Sequence, residues 1–581
     1  MYRFIALCGD LDAEDGLPDI GLAQRHDGRH LRIYAEPAMP CTTTPDGRGI
    51  VLGHIFDRPC GFAVTSFDQA VSARIVETRG QALIDGFWGG YLALIDRDGA
   101  SGWVALRDPS GAFPCYHLKR GKLMVFASDP HILVLARLLP PKPDWQNLFA
   151  HLRSADLRSE RTCIAGLDEL LPGRRMGLAH SASSDACWSP WQDFTCSAWT
   201  DSRDKNSEIL ERIVRNCVTS WASCFDSIKL GVSGGLDSSI VATCLAPLGK
   251  SLSLYTMVAS GGDGDEREFA HILGDALNLP VAEEHYDLSG IDIRTTTSST
   301  LPRPVGGGFF LQEIARACRD TPQKRPVDAH FTGTGGDNVF CYLQSSRPFV
   351  DRLLRDGLGG ALNSLRDLSV MTGASMPAIA LNGLAKWPPW RRSYRWQEDR
   401  SFLNDVIAES APFQADHPWL DRPRDGLPGK ALHIVLLLRI QNYLEQHFLE
   451  GVPRKVAPLI SQPIMEYCLS LPSWLWCKGG KNRSLARQAF ARHLPAKITS
   501  RTAKGGPDSF SLSLFDHYRA TIRACLLDGA MAAEGLLDRA MIESALDPRN
   551  SIGATAKLRI LALADAEAWA QGWISRQPDA L

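Results

Sequence analysis

The run Val232-Ser233-Gly234-Gly235-Leu236-Asp237-Ser238-Ser239 decides how this chain is read. It follows a short apolar strand pattern, Ile228-Lys229-Leu230-Gly231-Val232, and precedes an apolar helical pattern from Ile240 to Leu245. A strand, a Ser/Gly turn and a helix N-terminus in succession build an anion cradle. Gly234 and Gly235 let the backbone turn sharply and bring N–H groups close to phosphate oxygens. The free N–H groups and positive end of the following helix add to that attraction. Asp237 sets a carboxylate beside the anion, which calls for a divalent cation between the two.

The Gly-Lys-Ser/Thr ending of a Walker loop is missing. Ser233-Gly234-Gly235-Leu236-Asp237-Ser238-Ser239 instead resembles the pyrophosphate loop of the ATP pyrophosphatases, in the asparagine synthetase branch. That resemblance implies that residues 232–239 hold the α/β-phosphates of ATP and release pyrophosphate once an acyl-adenylate has formed. From about residue 205 onward helical patterns alternate with short strands, as a parallel sheet with crossovers requires. Leu252 to Val258 reads as the second strand and Glu268 to Leu277 as the helix after it. In the resembling family the end of this strand lies against adenine, which makes Val232 and Met257 base contacts. Asp265 and Glu266 open the helix. Either they face the nucleotide, as a family carboxylate does, or they pair with the helix dipole.

A second constellation, Phe331-Thr332-Gly333-Thr334-Gly335-Gly336-Asp337-Asn338, repeats the strand and glycine turn and also ends on an aspartate. It resembles the family's SGEGxDE. The likeness implies that Gly333, Gly335 and Gly336 pass close to the adenosine and that Asp337 ligates Mg²⁺. Asp237 and Asp337 would then hold Mg²⁺ on the pyrophosphate from two sides, carboxylate and phosphate oxygens suiting a hard cation. The departures concern the acceptor side. Thr334 and Asn338 replace two family carboxylates, and Ser461 stands where the family's PFLD places its aspartate. Farther on, Ser484 to Pro495 resembles the LRxAxxxxLP helix. Arg501-Thr502-Ala503-Lys504-Gly505-Gly506 resembles RxKxG with one residue inserted. Lys504 is thereby implied as the catalytic cation that stabilises departing pyrophosphate and the aminolysis step; a solvated loop lysine is the alternative.

Residues 1–180 read as short strands with Gly/Pro/Asp turns, among them Leu31–Tyr34, Gly49–Leu52 and Gly102–Leu106. Asp85 to Asp96, Arg107-Asp108-Pro109-Ser110-Gly111, Phe126-Ala127-Ser128-Asp129 and Thr162 to Gly173 follow the order and spacing of the family's glutamine amidotransferase domain. They imply a layered Ntn-type α/β fold. That domain attacks glutamine with an N-terminal cysteine. Tyr2 follows Met1 here and has no thiol, and Cys8 lies inside a strand pattern, so this domain is expected to be inactive. Residues 181–204 read as a linker. Residues 205–581 read as the adenylating domain, an adenine-nucleotide α-hydrolase-like parallel sheet with a helical C-terminal part.

The net charge of −2 provides no field that would recruit nucleic acid or an anionic membrane. No apolar run reaches the ~20 residues of a membrane span, and Met1 to Ala6 lacks a signal-peptide apolar core. A cytoplasmic protein is expected. The cysteines are scattered without zinc spacing and read as reduced core residues. The glycine-rich Pro302 to Phe309 reads as a substrate-channel wall or a plain loop, and Trp387 to Trp396 as an insertion that contacts a peptide or partner protein.

A retained ATP site beside an inactive amidotransferase domain resembles most closely the lasso-peptide cyclases. The resemblance implies AMP-forming macrolactam synthesis with ATP and Mg²⁺. An Asp or Glu side chain of a ribosomally made core peptide is adenylated and then attacked by the peptide's own N-terminal amine. A leader-binding protein and a leader peptidase would be partners. The alternatives are a β-lactam synthetase-like amide ligase for a small molecule and a non-catalytic scaffold. No base for the amine is legible, although His330 and Glu313 lie near in sequence.

Overall fold

A computed structural model describes the chain except residues 1, 13–14, 97–101, 155, 178–183, 195–199, 201, 259–264, 321–325, 386–393, 395, 411–412, 414, 446–450, 502–507 and 577–581. Strand alternation in the N-terminal third produces two six-stranded antiparallel sheets. The centre of one is Leu123–Ala127, Phe4–Cys8 and Leu31–Ala35; the centre of the other is Trp103–Arg107, Phe87–Asp96 and Gly49–Asp57. Period-two side chains explain the layering. Phe4, Ala6 and Cys8 meet Leu92 and Leu94 between the sheets. Ile5 and Leu7 face a second core that includes Leu148 and Leu152 of the helix Trp145–Ser154. Tyr91, Ala93 and Ile95 face a third, with Val218 and Trp221 of the helix Arg203–Ser223. The result is the layered α/β unit expected. Within the interval read as a linker, Ser184–Ala186 pairs with Arg174–Met176 as an edge of the second sheet.

The second unit is built on five strands: β1 (Ser227–Gly231), β2 (Ser251–Val258), β3 (Val281–His285), β4 (Ala329–Phe331) and β5 (Arg454–Val456). All pair in parallel in the order β3-β2-β1-β4-β5. The chain winds outward from β1 in one direction and then in the other, so the switch point lies between β1 and β4. Ligands of open parallel sheets bind at such a point, beyond the carboxyl ends of the strands. α1 (Leu236–Leu245) follows β1, α2 (Arg267–Leu277) follows β2, and α3 (Gly308–Asp320) precedes β4.

Buried ion pairs lock the two units together. Glu169 of the first unit binds Arg107 (2.6 Å), Arg158 (2.9 Å) and, from the second unit, Arg303 (2.5 Å), all essentially without solvent. Arg58 holds Glu466 through two bonds of 2.7 and 3.0 Å, and the Trp188 indole N–H donates to the same carboxylate. Among the described residues, no single helix is long and apolar enough to cross a membrane; Arg347–Thr372 and Met376–Ala385 are apolar enough together, but they bend by 108°.

Candidate active site

Both glycine turns leave the carboxyl ends of β1 and β4, neighbours at the switch point. Gly234 adopts φ +59°, and a Cβ there would lie 2.1 Å from Phe269 Cβ on α2, so only glycine fits. Gly235 caps α1 and has no side-chain oxygen to offer the first-turn N–H groups, an arrangement suited to an anion. The two turns touch backbone to backbone. A Cβ on Gly333 would lie 2.5 Å from Ser238 N, and one on Gly336 would lie 2.3 Å from Asp237 Cγ. These glycines bring two aspartates one hundred positions apart to one place.

Arg483 makes that convergence measurable. Its Nη1 lies 2.8 Å from Asp237 Oδ2 and 2.5 Å from Asp337 Oδ1. Both carboxylates therefore face one cationic position. Arg483 sits at φ +51°, immediately before the helix Ser484–Ala489, with its guanidinium over the Tyr342 ring at 5.2 Å. Two hard oxygen donors beside a phosphate cradle fit Mg²⁺, which commonly takes one or two carboxylates and completes its shell with phosphate oxygens and water. Among the described residues no group of three or more His, Cys, Asp or Glu gathers as a metal site. A cation here would need the nucleotide for its remaining ligands.

A cavity of about 630 Å³ opens over the turns. Val232, Ser233, Gly235, Asp237, Ser238, Met257, Gly333, Gly335 and Asp337 line it. Gly234, Gly336, Leu236 and Ser239 do not. The two glycines back onto Phe269 and Asp237, Leu236 belongs to the hydrophobic core, and Ser239 Oγ donates to Gly235 O at 2.8 Å. Lys504 lies outside the described residues. The two readings of Asp265 and Glu266 separate. Asp265 is spent on Arg267 at 2.7 Å, whereas Glu266 lines the cavity and is held by Arg501 at 2.9 Å.

Thr334 and Asn338 line the cavity, but Ser461 does not. Its hydroxyl donates to Pro458 O (2.7 Å) and accepts from the Trp221 indole (3.0 Å) inside the core, so it is no part of an acceptor wall. Within the aromatic stretch 387–396 only Tyr394 and Trp396 are described. Trp396 is buried and its indole N–H donates to Ser154 O, a packing role rather than a contact surface.

Sequence reasoning missed Arg483, Lys455 and the aromatic wall of Tyr286, Phe310, Tyr443 and Phe510. Lys455, on β5, donates to Tyr443 O at 2.5 Å, and burial pushes its amine down to about 8. His330 accepts or donates at 2.9 Å with Tyr255 OH, and burial pushes its imidazole down to about 3. Glu313 binds Arg316 at 2.9 Å and the Asp287 N–H at 2.8 Å. In the first unit, Cys8 and Cys115 are fully enclosed; burial raises both thiols, Cys115 to about 12, far from a reactive thiolate.

Comparison with known proteins adds a family. The sequence pattern of the family described as asparagine synthase matches residues 210–571. No curated protein matches the sequence significantly. Two solved structures align at 10% identity and a TM-score of 0.20. One, described as the allosteric regulatory enzyme of purine biosynthesis, covers 61% of this chain and 72% of that one. The other is glutamine phosphoribosylpyrophosphate amidotransferase from B. subtilis complexed with ADP and GMP, covering 62% and 79%. So low a score carries no argument about fold or function.

Proposed function

This chain belongs to the asparagine synthase family, and on that premise we propose that it is an AMP-forming cyclase. It would join a side-chain carboxylate of a ribosomally made peptide to the peptide's own N-terminal amine, the reaction of lasso-peptide cyclases. The observation that carries this reading is the meeting of Asp237 and Asp337 on one cationic point over the phosphate-cradling turns. ATP and Mg²⁺ would supply the activating AMP group and the charge neutralisation that lets pyrophosphate depart. The N–H groups of residues 233–237 would hold the phosphates, Asp237 and Asp337 the cation, and Val232 and Met257 the base. Lys504 would meet the leaving group.

The shape of the interior supports a peptide rather than a small acceptor. Phe310, Leu311 and Tyr443 line both the main cavity and a second one of about 470 Å³, which runs along His151, Asp156, Gly306 and Gly307. A chain segment fits such a path. Thr334 and Asn338, neutral where the family carries carboxylates, suit an acceptor without an amino-acid headgroup. With Cys8 and Cys115 enclosed and no thiol at Tyr2, the first unit would serve as scaffold, and glutamine would not be the nitrogen source. A leader-binding protein and a leader peptidase would deliver the peptide.

The test uses linear peptides with a free N-terminus and one internal Asp or Glu, the spacing varied one residue at a time. Peptide-dependent ATP–pyrophosphate exchange and loss of one water by mass spectrometry are expected. Exchange that persists undiminished in Asp237→Ala would overturn the metal assignment, and exchange driven only by small carboxylic acids would overturn the peptide reading.

A further inference from the structure

Amide formation from an acyl-adenylate needs an unprotonated amine. A peptide α-amine has a pKa near 8 and arrives partly as ammonium at neutral pH, so the site needs a proton acceptor. The carboxylates of the cavity are committed elsewhere: Asp237 and Asp337 to the cation position, Glu266 to Arg501. Glu313 is paired with Arg316. His330 is too weak a base, since burial suppresses its protonation.

We infer that Lys455, accepting a proton as a neutral amine, is the catalytic base of the aminolysis step, an assignment that rests on the proposed cyclase reading. Among the described residues lining the cavity it is the one basic side chain. It stands at the boundary between that cavity and an adjoining recess of about 250 Å³, whose apolar wall includes Phe310, Leu311 and Ile314. Its neighbour in register is His330 on β4. Tyr255 from β2 and Cys318 from α3 face the same recess, Tyr443 accepts its hydrogen bond through the main chain, and Glu266, Asp237 and Asp337 lie across the cavity. Of the groups sharing the recess, burial keeps His330 neutral and raises Tyr255 and Cys318, so all three stay uncharged at neutral pH. The desolvation that penalises an ammonium there leaves a substantial neutral fraction of Lys455 near pH 8, matched to the proton it takes. As the new C–N bond forms, the attacking nitrogen gives its proton to Nζ, the acyl C–O bond to AMP breaks, and AMP leaves with the electron pair. Lys455 then returns the proton to solvent.

The test compares Lys455→Met and Lys455→Arg in the full chain with the peptide panel above. Arginine keeps the charge but cannot surrender its proton. Expected for both are pyrophosphate exchange within about threefold of the parent and amide formation about 100-fold slower at pH 7, recovering as pH passes about 8. Hydroxylamine, already unprotonated at neutral pH, should intercept the acyl-adenylate at the parental rate. Full amide formation in either variant, or loss of exchange and amide formation together, overturns the assignment. An unmodified chain that shows no peptide-dependent exchange overturns instead the cyclase reading beneath it.

Discussion

Two clusters of buried charge in this molecule look alike on paper and differ in kind. In the first unit Glu169 is wrapped by Arg107, Arg158 and Arg303, all four side chains buried. In the second, Asp237 and Asp337 share Arg483 at the wall of a 630 Å³ cavity. A closed, fully paired network orders a fold and joins two units. The same chemistry opened onto space, beside a helix that Gly235 leaves without a side-chain cap, is equipped to exchange its counter-charge for a ligand's.

That contrast breaks first at the centres of the two clusters. Asp237→Asn is expected to lower ATP–pyrophosphate exchange by about 10³-fold, in the range seen when one preorganised electrostatic partner is removed, with a melting temperature close to the parent's. Glu169→Gln should do the reverse. Removing the charge leaves three buried guanidinium groups facing a neutral amide, a loss of about 3–5 kcal/mol, read by denaturant unfolding, while exchange per folded molecule stays unchanged. If Glu169→Gln lost exchange and Asp237→Asn lost stability, the distinction would be inverted.

The part of this site that sequence disclosed is the part made locally. A strand, two glycines and an aspartate specify a turn within ten residues, so both loops and both aspartates are legible in the sequence. Arg483 could not, because its role comes from reaching across to two aspartates far away in sequence and from a left-handed backbone that nothing in Asn482-Arg483-Ser484 announces. Nothing in Arg454-Lys455-Val456 sets the lysine apart in the sequence. Only the sheet order puts β5 beside β4, and only burial in the folded chain desolvates its amine. Ser461 shows the opposite failure: a motif position taken as part of the substrate wall belongs to the core. In the first unit, the sequence pointed to strands such as Leu31–Tyr34, Gly49–Leu52 and Gly102–Leu106, but not to Arg303, from the other unit, closing the Glu169 network.

The glycines sharpen the comparison at the next magnitude. Gly333→Ala should weaken exchange by about 100-fold, because a methyl group 2.5 Å from Ser238 N must push the two turns apart, and misplacements of about 1 Å carry losses of that size. Gly21→Ala in the first unit, at a left-handed φ of +74°, has nothing within 4 Å of the added methyl group. It should cost only the backbone strain, about 1 kcal/mol, with exchange intact.

Acid separates the clusters more gently. Burial works against ionised Glu169, yet Arg158, Arg303 and Arg107 hold its carboxyl well below the usual range. A folded-state pKa below the unfolded value of about 4.3 gives stability that is present above that pH and lost as pH falls through it. Asp108, Asp129, Asp351 and Asp565 are pushed up to about 6 by burial and act in the other direction, their contribution fading as pH rises from about 4 through 6. The difference between the parent chain and Glu169→Gln cancels those four. It should shrink by about 1.4 kcal/mol per pH unit below about pH 4, and a difference constant with pH would mean the three arginines do not hold the charge.

The smallest effect concerns Cys8, the thiol nearest the N-terminus of the first unit. Cys8 lies on the strand Phe4–Cys8, packed between the sheets and 2% exposed, with its thiol raised by burial. A thiol that cannot ionise and that no glutamine reaches acts as a small apolar group. Cys8→Ala should therefore cost no more than about 1 kcal/mol of stability, the loss of a methyl-sized contact, and leave both exchange and amide formation unchanged with free ammonia absent. The same variant should also leave glutamate release from glutamine unchanged, at background in both chains. A measurable release that Cys8→Ala removed would return chemistry to the first unit and erase the contrast between a closed, structural half and an open, reactive one.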